Sequence, residues 1–224
     1  MKVTGPATQL LGEVQLPGDK SISHRALLHA ALSPEESRLN NILRAGVTTA
    51  MIDFLRQLGV HIQETDGDLI VRGGKWIQPN KPLNCGNSAT TMRLLMGALA
   101  GQPITAELTG TKGLQRRPMG RVARPLREMG ASISSDNAPL VIKGGNLYGI
   151  IHHLEVASAQ VKAALLLAAL QAEGESTIYQ PGPSRDHSER MLCELGVKLN
   201  HDNLMVTIKP SEKSLAATNI SIPG

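Results

Sequence analysis

A pattern that returns three times along the chain sets the tightest limit on its fold. KSISHRALLHAAL from Lys20, NSATTMRLLMGAL from Asn87 and SAQVKAALLLAAL from Ser158 each open on small polar residues. Each then runs into an Ala/Leu-rich stretch that ends in Ala-Leu. Their starts lie 67 and 71 residues apart. A second marker keeps phase with the first: MIDFLRQLGVHI, RPLREMGASI and MLCELGVKL each place a helix-like stretch before Gly59, Gly130 or Gly196. Chance likeness between Ala/Leu-rich helices does not produce two markers in step. Each of these glycines reads as a helix C-terminus, where the chain turns left-handed and glycine carries no Cβ penalty.

The stretches after the glycines alternate as strands do. VHIQETDGDLIVRGG holds Asp66-Gly67 between two such runs, a hairpin signal. SISSDNAPLVIKGG and KLNHDNLMVTIKP repeat the design, and ITAELTG and STIYQ supply a further strand between the two helices of their units. The unit is therefore strand, helix, strand, helix, strand, strand, and three units fill nearly the whole chain. The fold class is α/β (α+β), built of three βαβαββ repeats. Around a pseudo-threefold axis, the helix starts at Lys20-Ser21, Asn87-Ser88 and Ser158-Ala159 would face one region. Helix N-termini carry unpaired N–H groups and a partial positive charge, so their convergence would make an anion site.

Composition narrows the classes of function. The chain is 41% hydrophobic but holds only one Trp, two Tyr and one Phe, so Leu, Ala, Ile and Val build the core. Such a surface stacks nucleic-acid bases poorly. The net charge of +4 is an ordinary solvated surface if spread evenly and an anion trap if gathered in one cleft. Cys85 and Cys193 follow no metal-ligand spacing and no disulfide framework, in keeping with a reducing compartment. No signal peptide is visible, and the most apolar run, Ala163 to Leu170, is too short to cross a membrane. The expectation is a soluble, cytoplasmic monomer with no membrane or nucleic-acid partner.

Five motifs carry candidate chemistry. In LPGDKSISHR, Pro17-Gly18 turns the chain and Lys20, Ser21 and Arg25 open a helix, with Ser21 and Arg25 one turn apart. NCGNSATTMRLL, from Asn84, has more hydroxyl and amide donors than a single helix cap needs, yet lacks the pattern of a nucleotide-binding loop. GLQRRPMGRVARPL holds Arg116, Arg117, Arg121 and Arg124; Arg117, beside Pro118, is the better ligand, and Arg121 and Arg124 read as a solvated face. ASAQVK opens the third repeat helix, and PGPSRDHSER places Ser184, Arg185 and Asp186 at a helix start, where Asp186 is as readily a cap as a ligand. Taken singly, each motif also fits an ordinary capped helix with solvated charges.

Together, PGDKSISHR, CGNSATTMR, LQRRPM, SAQVK and PSRDHSER resemble the ordered signatures of the 5-enolpyruvylshikimate-3-phosphate synthases, from about Leu16 to Gly224. The related UDP-N-acetylglucosamine enolpyruvyl transferases have a Lys-Asn pair where this chain has Lys20-Ser21, and usually a loop cysteine that is absent near Arg117. The resemblance implies an inside-out α/β barrel domain and transfer of the enolpyruvyl group of phosphoenolpyruvate to the 5-hydroxyl of shikimate 3-phosphate. It implies no metal or organic cofactor. Residue by residue, it assigns Lys20, Asn87, Ala89 and Arg117 to phosphoenolpyruvate, with Lys20 also near the reacting hydroxyl as a catalytic group. Ser21, Arg25, Ser158, Ala159 (through its backbone), Gln160, Ser184 and Arg185 fall to shikimate 3-phosphate.

Three departures qualify the match. Ala89 stands where glyphosate-sensitive members have glycine, which implies weak glyphosate binding. RAGVTTAMI, from Arg44, lacks an acidic residue often found just before that helix. Family members are about twice as long, and ISIPG, from Ile220, resembles the crossover into their second domain. The expectation is a first domain over 14–224, a segment 1–13 that packs with the second domain, and a folded chain inactive without the C-terminal half. Two rival readings are a stand-alone anion-binding module and an RNA-end-processing relative. The scarcity of aromatics and the PGDKSISHR match argue against the second.

Overall fold

The computed structural model describes Gly5 and residues 11–202, 204–210 and 215–224. Segment 1–13, expected to pack with the second domain, falls largely outside the described residues; Leu11, Gly12 and Glu13 are exposed and in no regular element. The first unit runs α1 (Lys20–Leu32), β1 (Ser37–Asn40), α2 (Gly46–Gln57), β2 (His61–Thr65) and β3 (Asp68–Arg72). The second runs β4 (Leu83–Asn84), α3 (Ala89–Ala100), β5 (Thr105–Thr109), α4 (Lys112–Gln115), α5 (Gly120–Glu128), β6 (Ser132–Ile133) and β7 (Leu140–Lys143). A short β8 (Leu147–Tyr148) leads into the third: β9 (Ile151–His153), α6 (Ala159–Ala169), β10 (Ala172–Glu173), β11 (Ser176–Tyr179), α7 (His187–Glu194), β12 (Leu199–His201) and β13 (Met205–Ile208). A last strand, β14 (Asn219–Ser221), follows.

Each unit carries one four-stranded sheet, and the three sheets share one plan. In the second, β4 lies parallel to β5, β5 antiparallel to β7, and β7 antiparallel to β6. The third repeats this with β9, β11, β13 and β12. In the first, the slot of the opening strand is filled by β14 from the far end of the chain, parallel to β1 with Leu39 opposite Ile220. The backbone around this closure is tightly tied: Asp19 N–H donates to the Pro223 carbonyl at 2.7 Å, and Ile222 N–H to that of Asn40 at 3.0 Å.

The predicted left-handed turns occur where expected, with φ of +87° at Gly59, +114° at Gly130 and +78° at Gly196. The expected hairpin over Asp66-Gly67 joins β2 and β3. Two features were not legible in the periodicity: the single-turn α4 and the two-residue ladder of β8 with β10, both too short to leave a repeat signature. The first helix of the second unit begins at Ala89, one residue later than the pattern suggests, because Ser88 is its cap: the side chain accepts from Thr91 N–H.

The core follows from which helices are buried all round. α1, α3 and α6 are buried on nearly every face, which a surface helix with one apolar stripe is not. α3 and α6 touch closely enough that a Cβ on Gly97 would sit 2.0 Å from the Ala164 carbonyl oxygen, so glycine is required there. Among the described residues of these helices, His29 is fully buried with neither ring nitrogen hydrogen-bonded. The matching positions of the other repeats are the apolar Met96 and Leu167.

Burial depresses the His29 imidazole from 6.5 to about 3. The native state therefore binds fewer protons than the unfolded chain between those values, so stability is full above pH 6.5 and falls as pH drops through this window. At about 1.4 kcal/mol per pH unit, the cost by pH 5 is about 2 kcal/mol. We predict that His29→Met keeps that stability, so urea unfolding at pH 7 and pH 5 will show a smaller acid loss for the variant than for the parent.

Candidate functional site

The three central helices bring their N-terminal turns together, and side chains tie each pair. Between α1 and α3, His24 donates from Nδ1 to the Lys20 carbonyl (2.8 Å), and its Nε2 is hydrogen-bonded to Thr91 Oγ1 (2.9 Å). Between α3 and α6, Gln160 Nε2 donates to Thr90 Oγ1 (2.9 Å) and its Oε1 accepts from Arg93 (2.6 Å). Between α1 and α6, Arg25 donates from Nη2 to the Ala159 carbonyl (2.9 Å), while Nη1 reaches Ser21 O and Nε reaches Ser188 Oγ (2.7 Å). The triangle of helix ends is closed. Asp19 caps α1, its carboxylate accepting from Ile22 N–H (2.8 Å), whereas α3 and α6 are capped by the neutral Ser88 and Ser158, so the positive poles of α3 and α6 meet no acidic residue at the cap or in the first turn.

Basic side chains surround this triangle. Arg25 is 2% exposed, and burial pulls its guanidinium below the ordinary value while Glu189 and Asp19 push it back and Arg185 lowers it. Arg93 is likewise lowered by burial, then by the charges of Arg121 and Arg117 nearby. Arginine stays protonated under such shifts, so two groups of cations flank the helix ends: Arg25 with Arg185, and Arg93 with Arg117 and Arg121. Lys20, at the first position of α1, is exposed, and among the described residues neither its ammonium nor the Arg117 guanidinium is engaged in a hydrogen bond or ion pair.

The remaining sequence-derived candidates fall into this frame. Ala89 is the first residue of α3 and is 7% exposed. Asn87 precedes the Ser88 cap and shares a 3.3 Å contact with Thr111, the cap of α4, which leads directly to Arg117. Ser158 caps α6 and accepts from Val161 N–H. Ser184 donates to Gln180 Oε1 (2.6 Å) at the wall of a cavity between α6 and α7. Asp186 holds the N-cap position of α7 without a side-chain cap bond. Arg121 and Arg124 are more than half exposed and make loose ion pairs with Glu155 and Asp136, as a solvated face does. Arg44, whose helix lacks the acidic neighbour, turns to Glu64 (3.0 Å) and the Gly67 carbonyl instead.

Sequence reasoning passed over Arg93, His24 and Glu189. Arg93 donates both to Gln160 and to the Pro118 carbonyl (3.0 Å), so one guanidinium holds α6 and the turn that carries Arg117. Its position one turn into α3, as Arg25 is in α1, was the available signal.

An apolar triple-repeat scaffold with converging helix ends and two arginine groups presents the kind of positive charge that a small polyanion needs. Comparison with known proteins narrows this further. A model of the family described as EPSP synthase (3-phosphoshikimate 1-carboxyvinyltransferase) matches residues 4–224. The chain belongs to that family. It is 44% identical over 223 residues to the 3-phosphoshikimate 1-carboxyvinyltransferase of Bacillus subtilis (strain 168), covering 96% of this chain and 52% of that protein. With that of Desulforudis audaxviator (strain MP104C) it shares 45% identity over 232 residues, covering 100% and 54%. Among solved structures, an EPSP synthase from Acinetobacter baumannii superposes with a TM-score of 0.89 at 38% identity, covering 95% of this chain and 49% of that one. The fold is that of the enolpyruvyl transferases, and the chain spans about half the length of the curated relatives it matches.

Replacing Arg93 with Met is predicted to remove two charge-assisted bonds at once. Partial exposure discounts the loss to about 1–2 kcal/mol, measurable as a lower urea midpoint at unchanged slope.

Proposed function

We propose that this chain is the first domain, 14–224, of a 3-phosphoshikimate 1-carboxyvinyltransferase and supplies one wall of its active site. The observation that carries the reading is the closed triangle of helix N-termini flanked by Arg25, Arg93 and Arg117, within a chain that belongs to this family. The reaction joins two polyanions. The 5-hydroxyl of shikimate 3-phosphate attacks the enol carbon of phosphoenolpyruvate while the methylene carbon takes a proton. The tetrahedral ketal then collapses and expels inorganic phosphate. Such a path needs fixed positive charge where phosphate and carboxylate oxygens sit, and an acid and a base at the reacting atoms.

In this proposal Lys20 and Arg117, whose cationic ends are not engaged by described residues, hold phosphoenolpyruvate, with Asn87 and Ala89 lining its pocket. Lys20 also stands near the attacking hydroxyl. Ser21, Arg25, Ser158, the Ala159 backbone, Gln160, Ser184 and Arg185 hold shikimate 3-phosphate. Segment 1–13 and the family's C-terminal half complete the site, and that half brings the further acid and base groups. The whole acts in the cytoplasm as a monomer and needs no added cofactor.

The test is direct. Titration of the purified chain with shikimate 3-phosphate is expected to show saturable binding, weakened at least tenfold by Arg25→Ala. Phosphate release from both substrates together is expected only after the complementary half is added. Turnover by the chain alone would overturn the two-half reading, and absence of shikimate 3-phosphate binding would overturn the substrate assignment.

Ala89 gives a second test. Glyphosate is longer than phosphoenolpyruvate, and the Ala89 methyl group at the head of α3 narrows the pocket assigned to both. In the complete enzyme, Ala89→Gly is expected to tighten glyphosate inhibition at least tenfold with a much smaller change in KM for phosphoenolpyruvate. Unchanged inhibition would remove the steric explanation.

A further inference from the structure

His24, Thr91 and Lys162 occupy the same position of the three repeats, the second turn of the buried helix. Two of them satisfy each other by a hydrogen bond between His24 Nε2 and Thr91 Oγ1, and burial lowers the His24 pKa. The third breaks the symmetry with a full charge. Lys162 is ion-paired with Glu189 of α7, and their side chains are only 2% and 4% exposed. A charged pair this deep is costly to bury and is poor evidence of stability by itself, so its presence in one repeat alone calls for a function.

Three charges lie within this layer: Lys162 and Arg25 positive, Glu189 negative. Glu189 follows Ser188, the hydroxyl that accepts from Arg25 Nε, and its charge acts directly on Arg25. Yet Arg25 spends its donors on neutral oxygens of Ser21, Ala159 and Ser188, and Lys162 takes the carboxylate. Glu189 Oε2 is left with no partner, at the wall of the cavity that also holds Ser184. The other charges facing this layer reach solvent: Asp19 and Arg185 are opposite in sign, and Asp186 and Asp202 lie at the cavity wall, exposed and screened.

We propose that Lys162 is a positioning residue that keeps Glu189 from capturing Arg25, so that the buried layer retains one uncompensated positive charge for the anionic substrate. The proposal rests on the assignment of Arg25 to shikimate 3-phosphate. Without Lys162, Arg25, the other buried cation of the layer and already under the influence of the Glu189 charge, would pair with it, abandon Ala159 and Ser21, and bring the layer to neutrality. Removing both Lys162 and Glu189 returns the sum to one positive charge. A merely structural role for the pair predicts the reverse, because the double variant loses as much packing as the single one.

The experiment compares the parent chain, Lys162→Met and Lys162→Met/Glu189→Gln. Shikimate 3-phosphate binding is expected to weaken at least tenfold in the single variant and to return to within threefold of the parent in the double variant. Parent-like binding by the single variant, or a double variant as weak as the single, overturns the proposal. If the single variant does not fold, the double variant alone decides, and a loss above tenfold overturns the proposal. A second readout needs no ligand: the Arg25 Nε–H resonance in nitrogen-15 spectra is expected to shift and exchange faster in the single variant, and to return in the double. A parent chain that binds no shikimate 3-phosphate refutes the substrate assignment. In that case the resonance still decides whether Lys162 positions Arg25.

Discussion

Everything functional in this domain depends on three polar links between helix ends that are otherwise set in an apolar core. His24 to Thr91, Thr90 to Gln160 and Arg25 to Ala159 hold α1, α3 and α6 in one arrangement. Apolar contact alone brings such helices together without fixing their rotation, since Leu and Ala faces are nearly interchangeable. Hydrogen bonds with directional partners choose one rotation, because any other leaves buried donors and acceptors unmatched. The same links therefore specify the fold and aim three sets of backbone N–H groups at one place.

Much of this was legible in the residues. The repeat of Ala/Leu-rich helices and their glycine-terminated partners gave the βαβαββ unit, because periodicity and left-handed turns are local properties of the chain. The motif spacing gave the helix starts to within a residue. The links themselves were not legible, since Thr90, Thr91, Arg93 and Gln160 look like ordinary cap and surface residues until their helices are placed side by side. Arg93 shows this best: its partners, Gln160 and Pro118, lie 67 and 25 positions away in sequence. Glu189 was hidden for a different reason, as a carboxylate in SRDHSER reads as exposed helix surface, whereas the third repeat folds it inward against Lys162.

Repeat symmetry and its breaking divide the work of the chain. Where the three units agree, as at Gly59, Gly130 and Gly196, the residue serves the backbone. Where they differ, as at His29 against Met96 and Leu167, or at Lys162 against Thr91 and His24, a unit departs from the shared plan at a cost in burial. The candidates at the helix starts follow the same division: Lys20, Asn87 and Ser158 head the three matching helices, and one unit alone supplies the ammonium.

The strand β14 gives the fold a consequence in time. β1 is made early, but its parallel neighbour follows some 180 residues later, with Leu39 meeting Ile220. During synthesis the first sheet stands with an open edge while the second and third units already have all their strands. Contacts of such long sequence separation delay folding because the loop they close is entropically expensive. A nascent chain halted before residue 219 would expose β1 as a template for foreign strands, and the turn bearing Lys20 would lack its brace until Pro223 arrives.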